Sequence, residues 1–409
     1  MSAGQYAPLQ GVRITDIGWV LAVPHATSWL ATFGADVIRI ESSVRPDITR
    51  LGGLRYGADG INGINRASMF NGVNFGKRSV ALDLSQPRAI EIVKELVRQS
   101  DVVTENFAAG VIDRMGLGYE ELRKIKPDVI MLSGSPLGSD GPDRDATGFG
   151  PNTQAYAGLP HITGYEGGMP AGLGREYPDF MIGIHMAFAV LAALHHRNRS
   201  GEGQLIEIAM AETVTSTIPE AVLDYTLNGR ETPRRGNRHP HFAPRGVYRS
   251  AGDDRWVAIS VEGDEQWRAL GEALGSPGWG ADPRFETHEG RLEHHDEIDD
   301  RISAWTRERS HYETAEQLQA HGVPAAPVLD TFETLEDPQL NALGAFVETV
   351  HPEVGTRRLA GLPGRFGAIP DIEYGRSPLL GEHTDEVLGG LLGLSAAELD
   401  ELAERGVTS

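Results

Sequence analysis

The chain has 409 residues, with 37 basic against 58 acidic side chains and a formal charge of −21. That length predicts two domains around a large core, and 40% apolar with 23% charged residues excludes wholesale disorder. The absence of cysteine excludes a disulfide scaffold, a Cys-ligated zinc site and a cysteine nucleophile. The acid excess argues against a nucleic-acid partner, while leaving room for a local basic groove.

The opening MSAGQYAPLQG lacks the charged and apolar regions of a signal peptide. No run approaches the roughly 20 apolar residues that cross a bilayer, so a cytoplasmic chain with no membrane partner is expected. In chain order, 12–17 reads as a strand, and a helix follows that Gly34 closes. Strands are expected again at 36–41, 79–84, 101–106 and 128–133, with a helix over 86–98 carrying Ile90, Val93, Leu96 and Val97 at helical spacing. Strands separated by helices predict an α/β fold, a doubly wound Rossmann-like large domain with a parallel sheet. In such sheets ligands sit beyond the C-terminal strand ends, which directs attention to the segments after Ile17, Ile40, Thr104 and Leu132.

A Gly-rich stretch over 134–174 precedes an apolar helix over 180–197, a strand at 205–210 and a helix to Leu227. Residues 228–245, with three prolines, read as a domain boundary. Residues 256–327 then suit a smaller α/β domain, and a Pro/Gly-rich crossing at 351–381 leads to a final helical pair. The expected organisation is a large-domain N-terminal part at 1–227, a linker and small domain at 228–334, and a return at 335–409.

No P-loop, HExxH or G-x-S-x-G elbow is present. His239, His241, His288, His294 and His295 lie in polar contexts without a recognised ligand spacing, so no metal site is expected. One carboxylate stands out: Asp179 follows a Gly/Pro loop and immediately precedes the apolar helix. By residue type it reads as a helix N-cap, a role compatible with sitting rigidly at the mouth of a cleft.

An ordered series of segments then carries a resemblance. The blocks LQGVRITD from Leu9, LATFGADVIRIE from Leu30 and NFGKRS from Asn74 are its first members. They are followed by DVVTENF from Asp101, GVIDRMGLG from Gly110, RNRSGEGQ from Arg197 and PLLGEHT from Pro378. Nearly end to end, the chain resembles the class III CoA-transferases (the CaiB/BaiF family, formyl-CoA transferase-like).

The resemblance implies transfer of coenzyme A from an acyl-CoA donor to a free carboxylic acid, with Asp179 as the nucleophile. Coenzyme A would enter as substrate, with no tightly bound cofactor. An ordinary Asp pKa of about 3.9 would leave that carboxylate ionised at pH 7. Val20 and Ala22 would face the pantetheine arm through their backbone, and Asn106, Phe107 and Arg114 the nucleotide or its phosphates. A basic residue often found after the second strand is Ser42 here, with Arg39 or Arg45 as substitutes. Segments 134–141, 164–168 and 235–237 would supply glycine loops that shield the intermediates. Arg175, Tyr165, Arg234, Arg235 and His239 are candidates for the acceptor carboxylate.

The implied assembly is an interlocked homodimer of open-ring chains. Two alternatives accompany the transferase reading. An α-methylacyl-CoA racemase would place a histidine thirty residues before the aspartate, where this chain has Phe149, which carries no proton. A non-catalytic CoA-binding subunit of a heteromeric transferase would have no need of Asp179.

Overall fold

The computed structural model describes residues 7–52, 63–174, 176–369 and 372–409. The chain divides into two compact units, one of residues 1–159, 172–230 and 342–409 and one of 160–171 and 231–341.

The larger unit is built on six strands, β1 (Arg13–Asp16), β2 (Asp36–Glu41), β3 (Arg78–Ala81), β4 (Val102–Glu105), β5 (Ile130–Ser135) and β6 (Leu205–Ala209). All pair in parallel, in the order β3-β2-β1-β4-β5-β6. The expected parallel, doubly wound sheet is therefore present. In this order the chain leaves β1 in one direction and returns to pair β4 on its other side, and the crevice at that reversal is where such sheets bind ligands.

Both faces are covered, which is why the strands read as apolar runs rather than alternating ones. On one face lies α2 (Pro87–Arg98), started by proline and burying Ala89, Ile92, Val93, Leu96 and Val97. Ile90, expected on that face, is only half-buried at its edge. Val387, Leu388, Leu402 and Val407, from the C-terminal helices Thr384–Leu392 and Ala396–Glu404 and the chain end, complete this layer. The other face carries α1 (Ala22–Thr32) and α3 (Tyr177–Ser200), whose Leu30, Ile182, Met186 and Val190 pack with Ile14, Val37 and Leu132. Each such side chain removed from water contributes about 1.5–3 kcal/mol.

The two helices approach closely at Gly183. A Cβ there would lie 2.9 Å from the Ala22 carbonyl oxygen and 2.9 Å from His25 Cδ2. The missing side chain thus presses the start of α3 onto the start of α1, the two ends that flank Asp179. Helix α4 (Pro219–Asn228) follows, and none of its residues is buried.

The smaller unit holds an antiparallel sheet of β7 (Arg245–Arg249), β8 (Trp256–Ser260) and β9 (Ala325–Val328). Its core gathers Trp267, Trp279, Phe285, Ile298 and Leu318 from the intervening helices. Returning to the larger unit, Phe346–His351 and Gly355–Ala360 form an antiparallel hairpin. The sequence reading had placed 351–381 in an irregular crossing. Arg357 and Arg358 inside the second strand disguise it, because strand pairing satisfies their backbone while the side chains stay outside.

Candidate active site

Asp179 occupies the third residue of α3 and is 8% exposed. The N-cap is Glu176, and among the described residues no side chain caps this helix end. The N-cap reading of Asp179 is thereby corrected. Pro178 suits the first turn, where its missing N–H is not needed, so the helix begins before Asp179 rather than after it.

Burial pushes the Asp179 carboxyl up from an ordinary 3.8 to about 6, its own amide pulls the other way, and the Glu176 carboxylate adds to the rise. The expectation of an ordinary carboxyl is overturned, because desolvation penalises the charged form. At pH 7 about nine-tenths of such a group is still ionised, and it is a more basic carboxylate than a solvated one.

The carboxyl opens into a cavity of about 80 Å³. It is lined by Val20 and Ala22 after β1, Asn106 after β4 and 134–136 at the end of β5, together with Gly148, Phe149, Ile182, Met186 and Met210. The strand ends singled out from the sequence thus converge on Asp179, with the exception of the segment after Ile40. Gly134 lets α3 approach closely here, since a Cβ would lie 2.1 Å from Met186 Cε and that side chain would have to move.

The remaining sequence candidates divide. Asn106 commits its side chain to the backbone of Trp19, accepting from its N–H at 2.7 Å and donating to its carbonyl at 2.8 Å. Phe107 sets its ring edge-on to Trp19 at 6.0 Å, and its N–H donates to Glu105 at 2.8 Å. Arg114 is exposed on the short helix Val111–Arg114, makes no ion pair among the described residues, and does not line the cavity. Ser42 is buried and accepts from the Val44 amide at 3.1 Å. Arg39 is 0% exposed and bound to the Gly18 carbonyl and the Asp47 carboxylate. It cannot reach a phosphate, so that half of the proposed compensation for Ser42 is removed. Arg45 is exposed, with its guanidinium 5.4 Å from the centre of the Trp19 indole.

Of the glycine loops, 134–141 belongs to the unit that carries Asp179 and the other two to the smaller unit. There the Gly236 amide donates to the Gly164 carbonyl at 2.7 Å, so those two loops form one feature. Arg234 donates to the His161 carbonyl at 2.8 Å beside them. Arg175 lies outside the described residues.

The sequence reading passed over a buried charge cluster behind the β1 turn, made of Asp16, Arg39, Glu41, Asp47, Arg50 and Lys77. Burial lowers the Lys77 ammonium to about 8, against the opposing pull of Asp16 2.9 Å away. It also passed over Glu105, which burial raises to about 7 although the Ser133 hydroxyl and the Phe107 amide oppose it. His25 was missed too. Burial, aided by Lys77, lowers it to about 4, its Nε2 accepts from the Trp29 indole at 2.9 Å, and its ring stands against Phe180 at 4.8 Å. For Asp16, Arg39, Glu41, Glu105 and His25 the signal was a charged or polar residue inside an apolar strand or helix, a pattern that elsewhere marks exposed faces; Asp47 and Lys77 lie in loops and carried no such signal.

Phe149 lines the cavity itself, at the position where a racemase base would be sought. His185 is on the exposed side of α3, its Nδ1–H donating to the Met181 carbonyl of its own helix at 2.8 Å.

The family model for CoA-transferase family III matches residues 9–384. The chain is 35% identical over 404 residues to a succinyl-CoA–D-citramalate CoA-transferase of Chloroflexus aurantiacus, covering 98% of each. It is 33% identical over 421 residues to a formyl-CoA:oxalate CoA-transferase of Rhodopseudomonas palustris, covering 98% of this chain and 97% of the relative. Among solved structures, a CaiB/BaiF family protein from Brucella suis superposes with a TM-score of 0.86 at 30% identity, covering 95% of this chain and all of that one.

Proposed function

The chain belongs to CoA-transferase family III and is a CoA-transferase; from that premise we propose that Asp179 is its covalent nucleophile, carrying first the acyl group and then coenzyme A. The single observation that carries this reading is a carboxyl with raised basicity, buried at the mouth of a cavity at the sheet's reversal point.

The chemistry proceeds in four balanced steps. An Asp179 carboxylate oxygen adds to the donor thioester carbonyl and expels CoA thiolate, leaving a mixed anhydride. The thiolate adds to the Asp179 carbonyl carbon and releases the donor acid, leaving an aspartyl-CoA thioester. The acceptor carboxylate then adds to that thioester, forming a new anhydride and freeing thiolate again. The thiolate takes the new acyl group and Asp179 is restored as the carboxylate. A thioester is exchanged for a thioester, so the balance needs neither ATP nor a metal.

The burial of Asp179 serves this sequence twice. It removes the hydration that blunts a carboxylate nucleophile, and it keeps water from the anhydride. The backbone at Val20 and Ala22 borders the cavity where the pantetheine arm would enter. Trp19, braced by Asn106 and flanked by Phe107 and Arg45, offers a flat face and a cation for the nucleotide. Arg114 would serve a phosphate by its fork of donors. Two relatives act, by name, on succinyl-CoA with D-citramalate and on formyl-CoA with oxalate, so short dicarboxylic acids are the proposed acceptor class. The reaction is placed in the cytoplasm, in a homodimer with the interlocked topology the family resemblance implies.

The test is a screen of succinyl-CoA, formyl-CoA and acetyl-CoA against short di- and hydroxydicarboxylic acids, with hydroxylamine added to a productive pair. Hydroxamate on the peptide containing Asp179 is expected. Transfer that proceeds with that peptide unmodified, or that survives Asp179→Ala, would defeat the covalent route. Incubation of substrate in deuterium oxide without an acceptor should show no α-proton exchange, since Phe149 supplies no base.

A further inference from the structure

Val20 has φ +65°, and Asp254 is the only other described non-glycine residue in the left-handed region. An aspartate tolerates that region; a β-branched residue is strained there. Val20 is also a wall of the Asp179 cavity and the second residue before α1, so the strain sits at the reacting centre.

Five side-chain bonds pin the backbone leading to it. The Gly18 amide donates to Asp16 at 2.9 Å and the Gly18 carbonyl accepts from Arg39 at 2.8 Å. Asn106 holds both polar groups of Trp19. Last, the Val20 amide donates to Asp47 Oδ2 at 3.0 Å. Gly18 has no room for any side chain, because a Cβ would lie 2.2 Å from Val23 Cγ1.

Asp47 is 1% exposed and every bond it makes is directed. Its Oδ1 accepts from the Thr49 amide at 2.8 Å and hydroxyl at 2.7 Å, while Oδ2 is shared between Arg39 and the Val20 amide. Arg39 lies against this carboxylate and is itself 0% exposed, so the pair holds the Val20 amide from a site closed to solvent. Around this pair stand Asp16, Glu41 and Lys77, all buried.

We propose that Asp47 is a positioning residue for the reaction at Asp179: paired with Arg39, it anchors the Val20 amide and so keeps residue 20 in a strained left-handed conformation that shapes the wall of the Asp179 cavity. The inference rests on the reading of Asp179 as nucleophile. Without the anchor, valine relaxes to φ below zero and the wall and the start of α1 shift.

A double-mutant cycle with Val20→Gly tests this, because glycine adopts the same φ without strain. Asp47→Asn should lower kcat about tenfold or more, and in the Val20→Gly background the same substitution should cost at least about fivefold less. A merely structural Asp47 would give equal losses in both backgrounds, and that result overturns the proposal. Hydrogen exchange of the peptide spanning 18–21, read without substrate, should accelerate in Asp47→Asn; unchanged exchange overturns the proposal whatever the activity. Should Asp47→Asn not fold, Val20→Pro removes the amide and fixes φ near −65° while leaving Asp47 paired with Arg39. It should lose about a hundredfold in kcat with little change in melting temperature, and activity within about threefold of wild type counts against the anchor. A wild type that transfers nothing in the acid panel defeats the functional reading instead, and the exchange result still stands.

Discussion

The raised carboxyl of Asp179 has opposite consequences for activity and stability. Its folded value of about 6 lies above the ordinary 3.8, because burial disfavours the charge. Between these values the folded chain binds more protons than the unfolded one, so stability falls as pH rises from about 4 to about 6 and stays lower above it. Two units correspond to roughly 2–3 kcal/mol. Asp179→Asn should therefore raise the unfolding free energy at pH 8 by up to that amount and flatten its pH dependence between 4 and 6, while abolishing transfer. Chemical denaturation across pH reads the first effect, and a variant no more stable than wild type at pH 8 would mean the carboxyl is solvated. The same ionisation predicts that kcat/KM of the wild type falls about tenfold per pH unit below 6. At the proposed nucleotide end, Arg45 lies against the Trp19 face and is not among the residues lining the Asp179 cavity, so the proposed contact would act on binding rather than on the transition state. Arg45→Ala should raise KM for acyl-CoA several-fold with kcat within about twofold; initial rates at varied donor concentration separate the two.

Among the elements, the contact of α1 with α3 decides where Asp179 stands. Gly183→Ala puts a methyl group 2.9 Å from the Ala22 carbonyl and the His25 ring, neither of which can yield without moving a helix. Overpacking of this kind costs about 1–3 kcal/mol. A lower urea midpoint is expected, with a drop in transfer beyond the fraction unfolded because both helix starts border the cavity. The inner sheet strands were legible from the sequence because they are buried on both faces and bounded by polar or Gly/Pro residues, as DVIRIE at 36–41 illustrates; the edge strand β6 alternates exposed and half-buried residues instead. Asp179 was legible by its place before an apolar helix, though its tie to chemistry came through the family resemblance. The cluster behind it was not legible. Arg39 meets Asp47 from eight positions away and Lys77 meets Asp16 from 61 positions away, pairings that only the fold brings together. The left-handed Val20 was equally hidden, because valine is the residue least expected there and its conformation is imposed by Asp47 rather than encoded locally.

The whole molecule carries more uncovered apolar surface than one chain needs. On α3 the residues Phe180, Ile184, Phe188 and Leu191 recur at steps of four, four and three, forming one exposed stripe opposite the buried one. Phe188 is 72% exposed. Helix α4 buries none of its ten residues, yet it exposes Val222, Leu223, Tyr225 and Leu227, the last at 77%. A ten-residue helix is marginal in water without packing, and contiguous apolar patches mark association surfaces. The homodimer proposed above would supply the matching surface from a second copy of the chain, since a two-fold axis brings a patch against itself. With a charge of −21 on each chain, burial of this apolar area would have to help offset the repulsion between two copies. Sedimentation of the wild type should give twice the 44.2 kDa chain mass. Phe188→Glu together with Leu227→Glu should shift micromolar protein toward the single-chain mass, and raised salt should restore part of the dimer by screening the added carboxylates. A wild type that sediments as one chain at all concentrations would refute this. A double variant that stays fully dimeric would move the interface away from α3 and α4.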